Sequence, residues 1–209
     1  MNELQTKVRD SLDGLTLVHG VGGTGDDDTH NACTMSAINL ALTGVLTDKC
    51  PDCVHPVIHA WVIPVQDRVS VEVLNGDEWR ELVPLIAGTV GFEDRLPVLM
   101  DAMWEAMGWI VPDEAWREAW ETMMTERTYA TAAYVARAAS DAADASDAAD
   151  AAAAAAARAA HHAYAAGADA ADAAARAATY ATYAARAADA TATYDAWAIA
   201  TLRKLVTFA

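Results

Sequence analysis

The sequence predicts an all-α protein with a compact helical head, residues 1–112, and a long alanine-rich helical arm, residues 113–209. First, 40 of the 70 residues from Thr131 to Ala200 are alanine, the residue with the highest helix propensity. Second, apolar residues elsewhere recur at spacings of three and four, which is typical of amphipathic helices. Third, the large apolar residues are concentrated before about residue 125, so we expect the core there.

The first half of the head shows three helical segments, each followed by a glycine or proline stop signal. The predicted helices are Leu4–Leu12, ending near Gly14; Cys33–Thr43, ending at Gly44; and Pro56–Trp61, ending near Pro64. Between the first two, residues 20–30 are rich in Gly and Asp and predict an acidic loop. Its three aspartates, Asp26–Asp28, disfavour a phosphate site because they repel anions.

The second half of the head begins with an alternating segment, Val69–Val73, which predicts a short strand. Two further helices of the head follow: one carrying Trp79, Leu82, Val83 and Ile86 with a kink at Pro84, and Asp94–Trp109. The arm then begins with a helix capped by Asp113 that carries Trp116, Trp120 and Met124. No stop residue separates this helix from the alanine tract, so we expect it to run directly into the tract.

Within the arm, a polar stripe recurs near the helical period and leaves the opposite faces almost pure alanine. Gly167 is the only glycine of the tract, and glycine inside a helix costs about 1 kcal/mol relative to alanine. We expect a hairpin that turns around His161–Asp169, so that the apolar tail from Trp197 onward returns to the Trp- and Met-rich start of the arm. The alternative is an unbroken rod whose tail is an exposed patch that favours oligomerisation.

The net charge of −16 restricts the partners. An acidic surface repels phosphate and anionic lipid, so we expect no direct contact with nucleic acid or membrane. The start of the chain lacks the apolar run of a signal peptide, and Asp or Arg recurs too often in the alanine tract for a membrane span. The three cysteines then predict reduced thiols or metal ligands in the cytoplasm.

Two ligand pairs predict a metal site. His30 and Cys33 form the first pair, and Cys50 and Cys53 form the second. Paired Cys and His ligands across a short connection are typical of tetrahedral zinc, and a closed set of four ligands is structural. The alternatives are that Cys33 is a small buried residue and the others loop thiols, that the metal is catalytic, or that Cys33 is a nucleophile at a helix N-terminus with a nearby histidine as base.

Residues 33–91 resemble a group of uncharacterised actinobacterial and actinophage proteins. The matching residues are Cys33, Met35 and Ala37; Pro51 and Cys53; Pro56, Val57 and Ile58; and Pro84, Leu85, Ile86, Val90 and Gly91. The group carries His-Pro-x-Cys where this chain has Cys50-Pro-Asp-Cys53, an exchange that a metal-ligand position tolerates. The resemblance therefore favours structural zinc, but it implies no activity.

Together these features predict a non-enzymatic interaction or assembly protein that forms a homo-oligomer or binds a protein partner through its arm, and the resemblance favours a phage origin. Three alternatives stay open. One is an acidic decoy of a nucleic-acid-binding defence protein, with Asp141, Asp144, Asp147 and Asp150 as phosphate mimics. Another is an ice-binding helix, for which only Thr182 and Thr193 have the required eleven-residue spacing. The third is a Cys- or metal-dependent enzyme.

Overall fold

The computed structural model of the chain describes residues 1–20, 31–92, 95–110, 114, 117–128, 130–131, 169–170, 173–174, 176–177, 180 and 190–207. Helix covers 70% of these residues and strand 3%, so the described part is mainly α-helical, as predicted. The chain divides into two compact units, Met1–Arg95 with Ala198–Ala209, and Leu96–Trp197. The predicted boundary between residues 112 and 113 lies outside the described residues.

The first unit is built from short helices around one apolar core. Its helices are α1 (Glu3–Leu12), α2 (Thr34–Thr43), α3 (Pro56–Gln66), α4 (Val71–Leu74) and α5 (Asp77–Ile86), followed by a 3-10 turn at Thr89–Gly91. Helix α1 packs against α2 and α5, and α2 also packs against α3. Val8, Ile38, Trp61 and Trp79 are buried where these helices meet. Gly44 ends α2 in the left-handed conformation, as its position in the sequence predicted.

The prediction of a strand at Val69–Val73 was wrong, because α4 occupies this segment. The hydroxyl of Ser70 accepts a hydrogen bond from the backbone N–H of Val73, which is the geometry of a helix N-cap. Val69 and Leu74 are buried while Val71 is 45% exposed. The valines alternate in sequence as in a strand, but the N-cap hydrogen bond and the pattern of buried side chains are those of a helix.

The only strands among the described residues are two short ones in the first unit, β1 (Thr16–Leu17) and β2 (Asn31–Ala32), which pair in parallel. The side chain of Asn75, just after α4, bonds to the other edge of β1. It accepts from the backbone N–H of Leu17 at 2.8 Å and donates to the Leu17 carbonyl at 2.9 Å. An amide side chain thereby takes the place of a third strand.

Helix α3 begins with Pro56 at its first turn, as predicted, but it continues past Pro64 to Gln66. Pro64 lies inside this helix, where it lacks the N–H that would donate to the carbonyl four residues earlier, and the helix nevertheless continues for two more residues. The added turn has a structural role, because the buried side-chain oxygen of Gln66 accepts a 2.8 Å hydrogen bond from the backbone N–H of Thr34.

The second unit contains α6 (Leu96–Met107), α7 (Arg117–Glu126) and the beginning of α8 (Ala190–Val206). Trp197 of α8 is 4% exposed, and its indole Nε1 donates a 2.9 Å hydrogen bond to the carbonyl of Ala102. The ring also meets Trp109 edge to face, with the centroids 6.1 Å apart. The hydrogen bond joins residues 95 positions apart in sequence.

The prediction that α7 runs directly into the alanine tract was wrong. The helix ends at Glu126, and Arg127 has a positive φ of 50°. The backbone N–H of Arg127 donates to the Met123 carbonyl, and its guanidinium lies over the Trp104 ring at 5.8 Å. Thr128 and Thr131 then exchange side-chain-to-backbone hydrogen bonds, an arrangement that starts a new helix.

Alanine forms a buried helical stripe in the described part of the arm. Ala170, Ala173, Ala174 and Ala177 are buried, whereas Asp169 and Arg176 are exposed. The spacing of three and four confirms one alanine face and one polar face at this point. Residues 161–168 of the predicted hairpin turn lie outside the described residues. The four aspartates of the decoy alternative, Asp141 to Asp150, and Thr182 of the ice-binding alternative also lie outside them.

Candidate functional site

Cys33, one of the four predicted metal ligands, is a buried cap of α2. It is 1% exposed, and its sulfur accepts a 3.3 Å hydrogen bond from the backbone N–H of Ser36. The same sulfur lies 3.2 Å from the Ser36 hydroxyl. The Cys-x-x-Ser spacing could have indicated this role, since an N-cap side chain bonds the residue three positions later.

Cys50 and Cys53 lie on a surface loop that we call the cysteine loop, residues 47–55. A turn within it is closed by the backbone N–H of Val54, which donates to the Pro51 carbonyl at 2.9 Å. Pro51 and Val54 are buried and anchor the turn, while Cys50 is exposed and Cys53 half-buried. Both cysteines therefore lie at the surface of the protein, Cys50 more exposed than Cys53.

Asn39 of α2 holds one side of the cysteine loop. It is 5% exposed, and its side-chain nitrogen donates to the carbonyls of Thr47 at 2.7 Å and Lys49 at 2.8 Å. His59 adds a 2.7 Å hydrogen bond from Nε2 to the Asp48 carbonyl. Sequence analysis missed this role of Asn39, although a polar residue inside an apolar helix was an available signal.

The 3-10 turn after α5 holds the other side of the cysteine loop. The Cys53 carbonyl accepts from the backbone N–H groups of Gly88 at 2.9 Å and Val90 at 3.1 Å. The backbone N–H of His55 donates to the buried hydroxyl of Thr89 at 3.0 Å. The loop backbone is thus fixed on both sides before any ligand binds, and nothing in the sequence pointed to Thr89.

The two thiols of the cysteine loop are close enough to influence each other. Burial of the sulfur raises the pKa of Cys50, and the neighbouring Cys53 and Asp52 raise it further. The Cys50 sulfur lies 3.7 Å from the carbonyls of Pro51 and Val54. Its thiol is therefore more firmly protonated than a free cysteine at neutral pH.

The predicted four-ligand zinc set is only partly described. His30 lies outside the described residues, and the Cys33 sulfur accepts a hydrogen bond at the start of α2. Among the residues that are described, no three His, Cys, Asp or Glu side chains converge in a group suited to a metal ion. The complete set of His30, Cys33, Cys50 and Cys53 stays a prediction.

A surface pocket of about 410 Å³ lies between α1 and α5, with Arg80 and the carboxylates of Asp13, Asp77 and Glu81 on its wall. The Arg80 guanidinium donates to the carbonyls of Leu12 and Leu15. Its role is therefore to cap the end of α1. The wall thus combines a cation that has a structural role with exposed carboxylates. Its residues indicate a ligand less specifically than the two thiols of the cysteine loop do.

Comparison with known proteins found no family model that matches the chain, no matching curated protein and no matching solved structure. Within the described ranges, no helix has the length and apolar character needed to cross a membrane. The function is therefore argued from the chain's own residues.

Proposed function

We propose that this chain is a non-enzymatic interaction or assembly protein that uses its alanine-rich helical region to dock against a protein partner or a second copy of itself. It acts in a reducing compartment such as the cytoplasm, without direct contact with nucleic acid or membrane. The resemblance to actinobacterial and actinophage proteins stays a prediction, and so does a phage origin.

The division of the described arm helix into a covered alanine face and an exposed polar face is the observation that carries this proposal. Single methyl groups at Ala170, Ala173, Ala174 and Ala177 permit an opposing surface to approach closely. These methyls are already covered within one chain. The polar face with Asp169 and Arg176 is therefore the part of this helix that is presented outwards.

The charge balance supports a partner with a basic face. The chain carries 30 acidic and 14 basic side chains. Long-range attraction accelerates association with a basic surface and weakens as salt screens it. We therefore expect a salt-dependent association rate.

The position of Cys33 supports a non-enzymatic role. A nucleophilic thiol has to reach its substrate, whereas Cys33 is 1% exposed and occupied with capping α2. Loss of a measured activity in Cys33→Ala, with the circular dichroism spectrum unchanged, would overturn this part of the proposal.

A matched pair of substitutions tests the arm. Ala174→Leu places a large side chain in the stripe, and overpacking of this kind costs about 1–3 kcal/mol. Ala196→Leu makes the same change at an exposed alanine of α8. We expect a lower melting temperature only for Ala174→Leu. Equal melting temperatures would show that the stripe is not closely packed.

Sedimentation equilibrium tests self-association directly. The monomer has a mass of 22.1 kDa, and we expect a larger mass that decreases on dilution. Arg176→Glu reverses a charge on the exposed face and should weaken the association, whereas Ala196→Leu adds no charge. A monomer at every concentration would refute self-association and leave a separate protein partner as the remaining form of the proposal.

A further inference from the structure

The cysteine loop has a feature that the predicted zinc set does not use. Its two cysteines are at the surface, with Cys50 exposed and Cys53 half-buried, while the third cysteine of the chain, Cys33, is buried in the cap of α2. The loop thiols therefore form a pair on their own, on a turn anchored by the buried side chains of Pro51 and Val54.

The backbone that carries the pair is held by groups from three neighbouring elements. Asn39 of α2 fixes Thr47 and Lys49, and His59 of α3 fixes Asp48. The turn after α5 fixes the Cys53 carbonyl. A ligand that bridges the two sulfurs would therefore meet a loop whose backbone is already ordered, which lowers the entropic cost of binding.

Each of the two histidines near the pair forms a hydrogen bond at one ring nitrogen. His55 Nδ1 accepts a 3.2 Å hydrogen bond from the backbone N–H of Val57 at the start of α3. His59 Nε2 is bonded to the Asp48 carbonyl. In the part of the chain that the structure covers, the pair is not joined by a third metal-binding side chain in one group.

We propose that Cys50 and Cys53 form a surface dithiol site that binds one soft monovalent cation of the Cu(I) type through both sulfurs. Thiolate ligands select soft ions such as Cu(I), whereas structural zinc requires four protein ligands. Binding replaces the two thiol protons by two metal–sulfur bonds and involves no electron transfer. The site needs neither His30 nor Cys33, which distinguishes it from the predicted zinc set.

A competition titration tests the site on the reduced full-length protein without oxygen. Cu(I) is supplied as its complex with the chromogenic chelator bicinchoninate, and its transfer to the protein is followed by the loss of colour. We expect one Cu(I) per chain for the wild type and for Cys33→Ser. Cys50→Ser and Cys53→Ser should each weaken binding by at least about 100-fold, because each removes a direct ligand.

Mass spectrometry provides a measurement that does not depend on the folding of the Cys33 variant. In the wild type, bound Cu(I) should protect Cys50 and Cys53 together from alkylation by iodoacetamide. Cys33 should be slow to react with or without the ion, because it is buried. Transfer that is equal in the wild type and Cys50→Ser would overturn the proposal. Loss of transfer in a folded Cys33→Ser variant would also overturn it and would favour the larger ligand set.

Discussion

Truncating Trp197 to alanine should destabilise the second unit strongly. The side chain is 4% exposed, donates a buried 2.9 Å hydrogen bond to the Ala102 carbonyl, and lies edge to face with Trp109 at 6.1 Å. Tyr194 packs against the same ring, with the centroids 5.3 Å apart. A single side chain thus links the beginning of α8 to α6 and to the turn after it.

The expected magnitude follows from these contacts. Removing a fully buried tryptophan side chain costs about 3–5 kcal/mol, which includes about 1 kcal/mol for the hydrogen bond. Trp197→Phe keeps most of the ring volume and loses the Nε1–H donor. It should therefore cost about 1–2 kcal/mol, from the hydrogen bond and part of the edge contact with Trp109.

Urea unfolding followed by far-ultraviolet circular dichroism measures this effect. With a slope of about 2 kcal/mol per molar urea, a loss of about 4 kcal/mol lowers the midpoint by about 2 M. Thr193→Ala changes an exposed position of the same helix and should shift the free energy of unfolding by less than about 0.5 kcal/mol. A Trp197→Ala midpoint equal to that of Thr193→Ala would refute the packing of α8 described above.

Three further predictions concern the end of α7 and the cysteine loop. Arg127→Gly should change stability by less than about 1 kcal/mol, because relief of the positive φ offsets the lost contact with Trp104, whereas Arg127→Val should destabilise the protein by about 2 kcal/mol or more. Thermal unfolding compares the two variants, and equal effects would contradict the positive φ at Arg127. Asn39→Asp should lower stability by about 2–4 kcal/mol and speed alkylation of Cys50, because the carbonyls of Thr47 and Lys49 lose their hydrogen-bond donor and face a carboxylate. An unchanged alkylation rate would show that Asn39 does not hold the loop. Alkylation of Cys50 should accelerate at higher pH than in a peptide of the same sequence, because the raised pKa keeps the thiol protonated as pH rises. Cys53→Ser removes one cause of the raised pKa and should move that acceleration to lower pH. The same pH profile in protein and peptide would refute the raised pKa.

The features predicted correctly from the sequence are local ones. Gly44 ends α2, Pro56 opens α3, and the spacing of Leu4, Val8 and Leu12 matches α1. Each depends on the conformational preference of a residue or on a periodicity within one helix. Such signals act over a few residues, so they can be recognised without knowledge of the rest of the chain.

The features that were missed depend on partners distant in sequence. Asn75 pairs with Leu17 and Trp197 bonds to Ala102, and neither sequence position indicates its partner. Arg127 ends α7 although it is neither glycine nor proline, since the contact with Trp104 supports its unusual backbone conformation. The wrong strand prediction at residues 69–73 is an exception, because its cause is local: Ser70 caps a helix by accepting from Val73, three residues later.

The candidate site shows the same limit. The sequence identified the three cysteines as chemically important but grouped them by spacing alone. Cys33 meets the spacing of a ligand and also that of a helix cap, and its sulfur is bonded at Ser36. The burial of Cys33, and the hydrogen bonds from Asn39 and to the Cys53 carbonyl that hold the loop, separate the loop pair from the third cysteine.

The alanine stripe and Trp197 stabilise the second unit in different ways. Each buried methyl of the stripe contributes less than about 1 kcal/mol, so the four described alanines together contribute about as much as the one tryptophan. Loss of one methyl contact is therefore a small perturbation, whereas loss of Trp197 removes in one step about as much stabilisation as the four alanines contribute together. A partner that docks on the exposed polar face with Asp169 and Arg176 would leave both sets of contacts intact. Docking through the arm should thus leave the beginning of α8 in place.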